Sequence, residues 1–221
     1  MVRFAAVVSN QAVETGRRSE IPGAYRSVME LRWPDPEMLD SYADALGRGW
    51  SPDTMRPERA DEELAMIEQD ASAFVRSLVD REAAGPPIRL PDGSLAQRLP
   101  GFRKWMWDGE LCGSIGFRWQ PGTSDLPSHV LGHIGYSVVP WKRRRGYATR
   151  ALGLMLVDAA GEGLDRVEIT TDVDNVASQR VIVANSGELV GQFPRGPAYG
   201  DSDELRFVVP LSQYSSTRAW C

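Results

Sequence analysis

The chain has 221 residues, of which 42% are hydrophobic and 25% are charged, a balance typical of one globular domain with its own core. Its formal net charge of -5 argues against nucleic acid or an anionic membrane as the general partner, because both favour a basic surface. With two cysteines and no apolar run long enough for a signal-peptide core or a membrane span, we predict a cytoplasmic protein without a disulfide framework or a metal cluster.

The first third of the chain predicts one strand and two helices. Residues 1–27 have weak periodicity and are treated as an extension of uncertain order, ahead of a domain over 28–212 and a tail over 213–221. Val28–Trp33 alternates like a strand and stops at Pro34, after which Asp35 is placed to cap a helix. A longer helix is predicted over 57–84, because its apolar residues fall on one face.

The middle of the chain predicts a hairpin and a further strand. Two aromatic-rich runs within Phe102–Trp119 flank Asp108 and Gly109, a dipeptide favoured in tight turns. Leu131–Val139 then has the composition of a strand, which Pro140 ends.

The last part predicts a helix, a strand, a second helix and two closing strands. The first helix runs from about Ala148 to Ala160, the strand over Arg166–Val173 and the second helix over Asn175–Gly187. The closing strands fall at 188–193 and 204–211. A mixed α/β sheet with helices on both faces packs these elements economically. The crossover through the first helix implies that the strands before and after it are parallel neighbours.

A run of four basic residues, from Lys142 to Arg145, stands between that strand and that helix. Free N–H groups at a helix start, together with the helix dipole, form an anion site. Gly146 lacks the Cβ that would block the close approach of a phosphate. The turn has neither the Gly-Lys-Ser/Thr of a P-loop nor a Gly-x-Gly-x-x-Gly fingerprint. The alternative interpretation is a solvated cationic turn at the start of a core helix.

The segment from Arg143 to Ala148, Arg-Arg-Arg-Gly-Tyr-Ala, matches the Arg/Gln-x-x-Gly-x-Gly/Ala signature of the GNAT superfamily of acyl-CoA N-acyltransferases. The flanking segments HIGYSVVP and EITTDVDNVAS are also similar to the family. The resemblance covers Val28 to about Leu211 and looks closest to bacterial members known as predicted acetyltransferases. It implies a GNAT-type mixed, mostly antiparallel sheet of about seven strands, with helices on both faces and a splayed parallel pair at the centre.

The resemblance further implies acetyl-CoA as cosubstrate, an amine as acceptor and no metal. Carried over by position, main-chain amides of the basic turn would hold the diphosphate and the end of the preceding strand would bind the pantetheine arm. The residues implied are Arg143, Arg144, Arg145, Gly146, Tyr147, Ala148 and Thr149 for the diphosphate, Val138 and Val139 for the arm, and Asn175 and Ser178 for the arm or the adenylate end. Helix N-capping is an alternative role for Asn175, compatible with ligand contact.

Acetyl transfer to an amine needs a base for the amine proton and a donor for the departing thiolate. His133 is the first candidate for the base, with a structural histidine inside the sheet as the alternative. Many relatives place a tyrosine acid seven positions after Asn175, where this chain has Ile182. Tyr136 or water is therefore the candidate donor, and the alternative is a thiolate that leaves without a dedicated acid.

The acceptor itself is not identified by the sequence. Several aromatic and acidic residues ahead of the basic turn are candidates for lining the acceptor pocket. The alternative is that the aromatic residues belong to the core and the acidic residues face solvent. The aromatic residues are Trp33, Trp50, Trp105, Trp107 and Trp119, and the acidic residues are Asp35, Glu37 and Asp53. A non-catalytic acyl-CoA-binding protein is a rival hypothesis, supported by Ile182. A nucleic-acid-binding role for the arginine cluster is disfavoured by the acidic net charge. An exposed closing strand makes a homodimer a further hypothesis.

Overall fold

The computed structural model describes residues 28–90, 92–195 and 202–214, so the predicted extension over 1–27 and most of the predicted tail lie outside the described residues. The strands are β1 (Glu30–Arg32), β2 (Val79–Asp80), β3 (Ile88–Arg89), β4 (Leu95–Ala96), β5 (Gly101–Trp107), β6 (Leu111–Arg118), β7 (Ile134–Val138), β8 (Arg166–Asp172), β9 (Glu188–Pro194) and β10 (Asp203–Pro210). The α-helices are α1 (Leu39–Gly47), α2 (Arg59–Ser77), α3 (Tyr147–Gly161) and α4 (Val176–Val183).

The larger sheet is built around the predicted hairpin of β5 and β6. Its order is β1-β5-β6-β7, with β2 also paired to β5, and every pairing is antiparallel. Gly109 has a φ of 112° at the hairpin turn, a conformation that favours glycine. This arrangement leaves β7 at the edge of the sheet.

A second, three-stranded sheet has the order β8-β10-β9 and is also antiparallel. The two sheets meet where His133 N donates to Glu168 O at 2.8 Å and Glu168 N donates to His133 Nδ1 at 2.9 Å. No strand ladder joins β7 to β8 within the described ranges. The two strands predicted to be neighbours therefore touch at the start of β7 and belong to separate sheets, in agreement with a splayed pair.

Helices cover both faces of the larger sheet, as predicted. Consecutive residues of β5 point to opposite cores, because Met106 packs with the residues of α3 while Trp105 packs with α1 and α2. Leu152, Met155 and Leu156 of α3 have no exposed surface, and burying each apolar side chain contributes roughly 1.5–3 kcal/mol. None of the helices in the described ranges has the length and apolar character of a membrane span.

The helix predicted over 57–84 is shorter than expected and is interrupted. Asp70 has φ -159° and ψ 95°, and its carboxylate accepts from Ala73 N at 2.8 Å, so it caps a new helical start inside α2. The helix ends at Ser77 because Val79 and Asp80 pair with β5 instead of continuing the helix. Asp92 and Gly93 are recognisable in the sequence as turn residues, but the two short strands β3 and β4 beside them were not predicted.

Candidate active site

The basic turn connects the edge strand β7 to the N-terminus of α3. A 3-10 turn over Pro140–Lys142 follows β7, and Gly146 occupies the N-cap position of α3. Arg144 and Gly146 both have positive φ, at 64° and 78°. The chain is exposed from Arg143 to Gly146, so the turn is open to solvent, as the anion site requires.

The main-chain amides of this turn are available to a ligand. Within the described residues, no backbone or side-chain acceptor bonds the amides from Arg144 to Thr149, and the first bonded amide of α3 is that of Arg150, to Gly146 O at 3.0 Å. A Cβ added to Gly146 would meet no atom within 4 Å, so the space beside the glycine is open. Unbonded amides, a positive helix end and open space fit a diphosphate.

Lys142 departs from the predicted four-residue basic cluster. Its side chain is buried, and Nζ donates to a carboxylate oxygen of Asp108 at 2.5 Å and pairs with Glu110 at 2.8 Å. Tyr147 OH donates to the other Asp108 oxygen at 2.5 Å. Burial alone would raise the pKa of Asp108, but the hydrogen bonds from Lys142 and Tyr147 hold it below its usual range. Three arginines, and not four cations, therefore face solvent at the turn.

The main chain of β7 offers hydrogen-bonding groups at its free edge. Val139 N donates to Cys112 O of β6 at 3.0 Å, so ladder alternation points the main-chain groups of Tyr136 and Val138 away from β6. Val139 O accepts from Lys142 N at 3.0 Å. Both main-chain groups of Val139 are thus bonded within the protein, which leaves Val138 as the stronger candidate for a pantetheine partner.

Three predicted residues meet beside this free edge. Tyr136 OH lies 2.8 Å from Ser178 Oγ, and Asn175 caps α4 by accepting from Ser178 N at 3.1 Å. Burial raises the pKa of Tyr136 to about 12. The N-cap alternative for Asn175 is confirmed, and its contact with a ligand stays a prediction.

His133 lies at the opposite end of β7 from the basic turn. Its side chain has no exposed surface, Nδ1 is bonded to Glu168 N, and Nε2 has no hydrogen-bond partner in the described part of the chain. Burial lowers its pKa to about 4. Val138 is five positions further along the strand, a distance of roughly 17 Å. These observations favour the structural alternative, and a role as base stays a prediction.

On the Ser137 face of β7 the structure contains a cavity of about 310 Å³. Trp50 Nε1 donates to Ser137 Oγ at 2.9 Å, and Ser137 Oγ donates to Ser51 O at 3.0 Å, which fixes the loop after α1 against the strand. The lining residues are Gly49, Trp50, Ser51, Asp53, Thr54, Pro57, Ser137, Pro140 and Arg143. Sequence reasoning missed Ser137, because its partners come from a loop 86 and 87 residues earlier.

Most of the residues suggested for an acceptor pocket lie elsewhere. Trp105 and Trp119 are buried in the two cores, and Asp35 caps the 3-10 turn over Pro36–Met38. Ile182 is fully buried in the core, so no polar side chain replaces the family's tyrosine at that position. Of the residues suggested from the sequence, Trp50 and Asp53 line the cavity.

Comparison with known families decides the identity of the fold. The family model described as acetyltransferase (GNAT) domain matches residues 29–185. The chain belongs to the GNAT acetyltransferase family. The match spans β7, the basic turn, α3, β8 and α4, so the GNAT signature stands in its expected structural setting.

Solved GNAT structures share this fold at low sequence identity. The microcin self-immunity acetyltransferase MccE, solved with acetyl-CoA and AMP, is 12% identical with a TM-score of 0.54 over 82% of this chain and 92% of MccE. RimJ from Mycobacterium smegmatis, solved with CoA-disulfide, is 17% identical with a TM-score of 0.55 over 85% of this chain and 84% of RimJ. The ribosomal protein alpha-N-acetyltransferase RimL, solved with coenzyme A, is 15% identical with a TM-score of 0.53 over 82% and 93% of the two chains. None of the curated protein sequences matches the chain.

Proposed function

We propose that this GNAT protein is an N-acetyltransferase that transfers an acetyl group from acetyl-CoA to a primary amine of a small molecule, a peptide or a protein. The observation that carries the proposal is the exposed run of unbonded amides from Arg144 to Thr149 at the end of an edge strand. The presence of acetyl-CoA or coenzyme A in solved structures of the same fold adds support.

Different residues in and around the turn bind different parts of acetyl-CoA. The amides from Arg144 to Thr149 bind the diphosphate, and Arg143, Arg144 and Arg145 supply positive charge beside it. The outward-pointing groups of Val138 hydrogen-bond the pantetheine arm as an added strand partner, with any contribution from Val139 restricted to packing. Asn175 and Ser178, which lie next to Tyr136 of β7, contact the arm or the adenylate end.

The amine approaches from the cavity on the Ser137 face. Asp53 attracts a cationic amine into it, and the amine must lose a proton before it reacts, because a free alkyl ammonium has a pKa of roughly 10. The nitrogen lone pair then forms the new C–N bond, the C–S bond breaks, and the sulfur takes up a proton. A main-chain N–H near Val138 stabilises the oxyanion, and Tyr136 donates a hydrogen bond to the sulfur. His133 remains the sequence-based candidate for the base.

A non-catalytic acyl-CoA-binding protein is the second candidate function. The buried Ile182 in place of a tyrosine and the buried His133 both favour it, because they leave the acid and the base unassigned. Binding of acetyl-CoA by titration calorimetry, followed by thiol release with a panel of amines, separates the two. Turnover on any amine supports the transferase, and tight binding without turnover supports the binding protein. A chain that binds no coenzyme A contradicts both.

A further inference from the structure

Asp108, at the tip of the β5–β6 hairpin, contacts the residues on both sides of the basic turn. One carboxylate oxygen accepts from Lys142 Nζ and the other from Tyr147 OH, each at 2.5 Å. Lys142 ends the 3-10 turn and Tyr147 begins α3, so the four residues between them form a loop whose two ends are held by one side chain.

The loop between these two anchors has weak contacts of its own. Arg143 Nε donates to Val138 O at 3.2 Å, and Arg145 donates to Trp141 O at 3.4 Å, both from exposed side chains. Asp108 and Lys142, by contrast, are about nine-tenths buried or more, with side-chain exposures of 10% and 5%. A buried, charged hydrogen bond is stronger than an exposed one, so the Asp108 contacts dominate the position of the loop.

A carboxylate suits both contacts because it carries two acceptor oxygens and a negative charge. Lys142 Nζ and Tyr147 OH both donate to Asp108, and aspartate offers an acceptor oxygen to each donor. Asparagine keeps one acceptor oxygen for Lys142 Nζ, but its NH₂ group can only donate to the Tyr147 oxygen, so both contacts lose their negative charge and the bond with Tyr147 must reverse direction. Asp108 is negatively charged and close to a site for an anion, so its charge alone opposes diphosphate binding.

We propose that Asp108 is a positioning residue for the diphosphate site: it fixes Lys142 and Tyr147 so that the amides from Arg144 to Thr149 converge on the ligand. The proposal rests on the proposed function of the turn as a coenzyme A site. The Cys112 thiol also interacts with Asp108, and burial raises the pKa of that thiol to about 12, so it stays neutral and adds no charge to the contact.

The sign of one affinity change tests the proposal. Titration calorimetry measures coenzyme A binding to the full chain and to Asp108→Asn. If charge alone set the affinity, Asp108→Asn would bind coenzyme A more tightly, because a negative charge is removed. We expect instead an affinity at least about tenfold weaker, because the buried Lys142 loses a charge-assisted partner and the bond with Tyr147 no longer runs from the hydroxyl to a carboxylate. Unchanged or tighter binding overturns the proposal.

Glu110→Gln is the matched control. It removes a carboxylate at a comparable distance from Lys142 Nζ, but Glu110 is 65% exposed and has no bond to Tyr147. We expect coenzyme A affinity within about twofold of the parent protein, since exposed ion pairs contribute little. An equal loss in Glu110→Gln and Asp108→Asn contradicts a specific role for Asp108.

Tyr147→Phe keeps the main-chain amide and removes one contact, so it tests the proposal if Asp108→Asn folds poorly. We expect a several-fold loss of coenzyme A affinity, and a Tyr147→Phe/Asp108→Asn pair less than additive, because both changes alter the same contact. No loss in Tyr147→Phe contradicts the role assigned to that contact.

Pantetheine, which lacks the diphosphate, supplies a readout that a general loss of structure would change. The affinity of pantetheine, measured as its inhibition constant against coenzyme A binding, should be the same in the parent protein and in Asp108→Asn. An equal loss of affinity for both ligands overturns the proposal. If the parent protein binds no coenzyme A, the proposed function fails. If the parent binds it and Asp108→Asn binds it equally well, only the role of Asp108 fails.

Discussion

Arg143 Nε donates to the main-chain oxygen of Val138, 3.2 Å away, so the side chain of the first arginine in the basic turn contacts the last residue of β7. The same oxygen lies at the free edge of β7, where an added strand partner would bind. Arg143 therefore has two alternative acceptors in the proposed function: the Val138 carbonyl in the structure described, and a phosphate when ligand is bound.

Arg143→Gln should weaken coenzyme A binding by about tenfold, because a charge-assisted phosphate contact is lost. Pantetheine binding should stay unchanged or become tighter, because the Val138 oxygen is released. Isothermal titration of both ligands measures the two effects. Arg76→Gln, an exposed arginine in the last turn of α2, carries the same change in net charge and should bind coenzyme A like the parent protein. Weaker pantetheine binding in Arg143→Gln would contradict the competition.

Gly146→Val should abolish measurable coenzyme A binding while the protein still folds. The added side chain enters the open space beside the amides, and the φ of 78° adds strain of roughly 1–2 kcal/mol or more for a β-branched residue. Gly163 offers a matched control, since it has a φ of 83°, no atom within 4 Å of an added Cβ, and a place at the other end of α3. Gly163→Val should lose similar stability in urea unfolding and keep its affinity. Retained binding in Gly146→Val would show that the ligand does not use this turn.

His133 should make the protein more stable as the pH rises through the acid range. Burial lowers the pKa of His133 from 6.5 to about 4, so the unfolded chain binds the extra proton between those values. The contribution is complete above pH 6.5, is lost progressively as the pH falls through about 4, and amounts to about 3 kcal/mol. Urea unfolding at a series of pH values measures it, and His133→Gln should remove it.

The other histidine of the chain, His129, is the control for this measurement: His129→Gln should leave the pH dependence of stability between pH 4 and 6.5 in place. If His133 were instead the base, His133→Gln would lower kcat and remove a pH limb near pH 4 from the rate profile. A normal kcat in His133→Gln, with the stability effect present, assigns a structural role.

Tyr136→Phe should lower kcat by less than about tenfold. Proton transfer from a phenol with a pKa of about 12 to a thiolate whose conjugate acid has a pKa of about 8.5 is uphill, so we expect Tyr136 to donate a hydrogen bond only, while the proton released by the reacting amine reaches the sulfur through water. Ser178→Ala removes the partner of the phenol without removing the phenol itself, and should have a smaller effect. A loss of a hundredfold or more in Tyr136→Phe would identify it as the acid.

The features that the sequence predicted are those set by local patterns. The apolar periodicity of α3, the Asp108-Gly109 hairpin and the Gly146 signature depend on residues within a few positions of one another, and the structure has each of them. The N-cap role of Asn175 is also a local feature, because capping depends on residues within one helical turn.

The features that the sequence missed depend on distant parts of the chain. Lys142 lies within a basic run that is otherwise exposed, and its burial results from Asp108, 34 residues earlier. The end of α2 is set by pairing of Val79 with Phe102 of β5, which no local propensity predicts. A structural histidine inside the sheet was one of the two predicted roles for His133, but its position where the two sheets meet was not predicted.

The central position of β10 in the smaller sheet has a consequence for how the molecule is assembled. Both β8 and β9 pair with β10 and with no other strand in the described ranges, and β10 follows both of them in the chain. During translation, the segments that form β8 and β9 therefore have no strand to pair with until residues 203–210 have left the ribosome. A premature stop before Asp203 would remove the strand that joins β8 to β9, and their unpaired edges would be prone to aggregation.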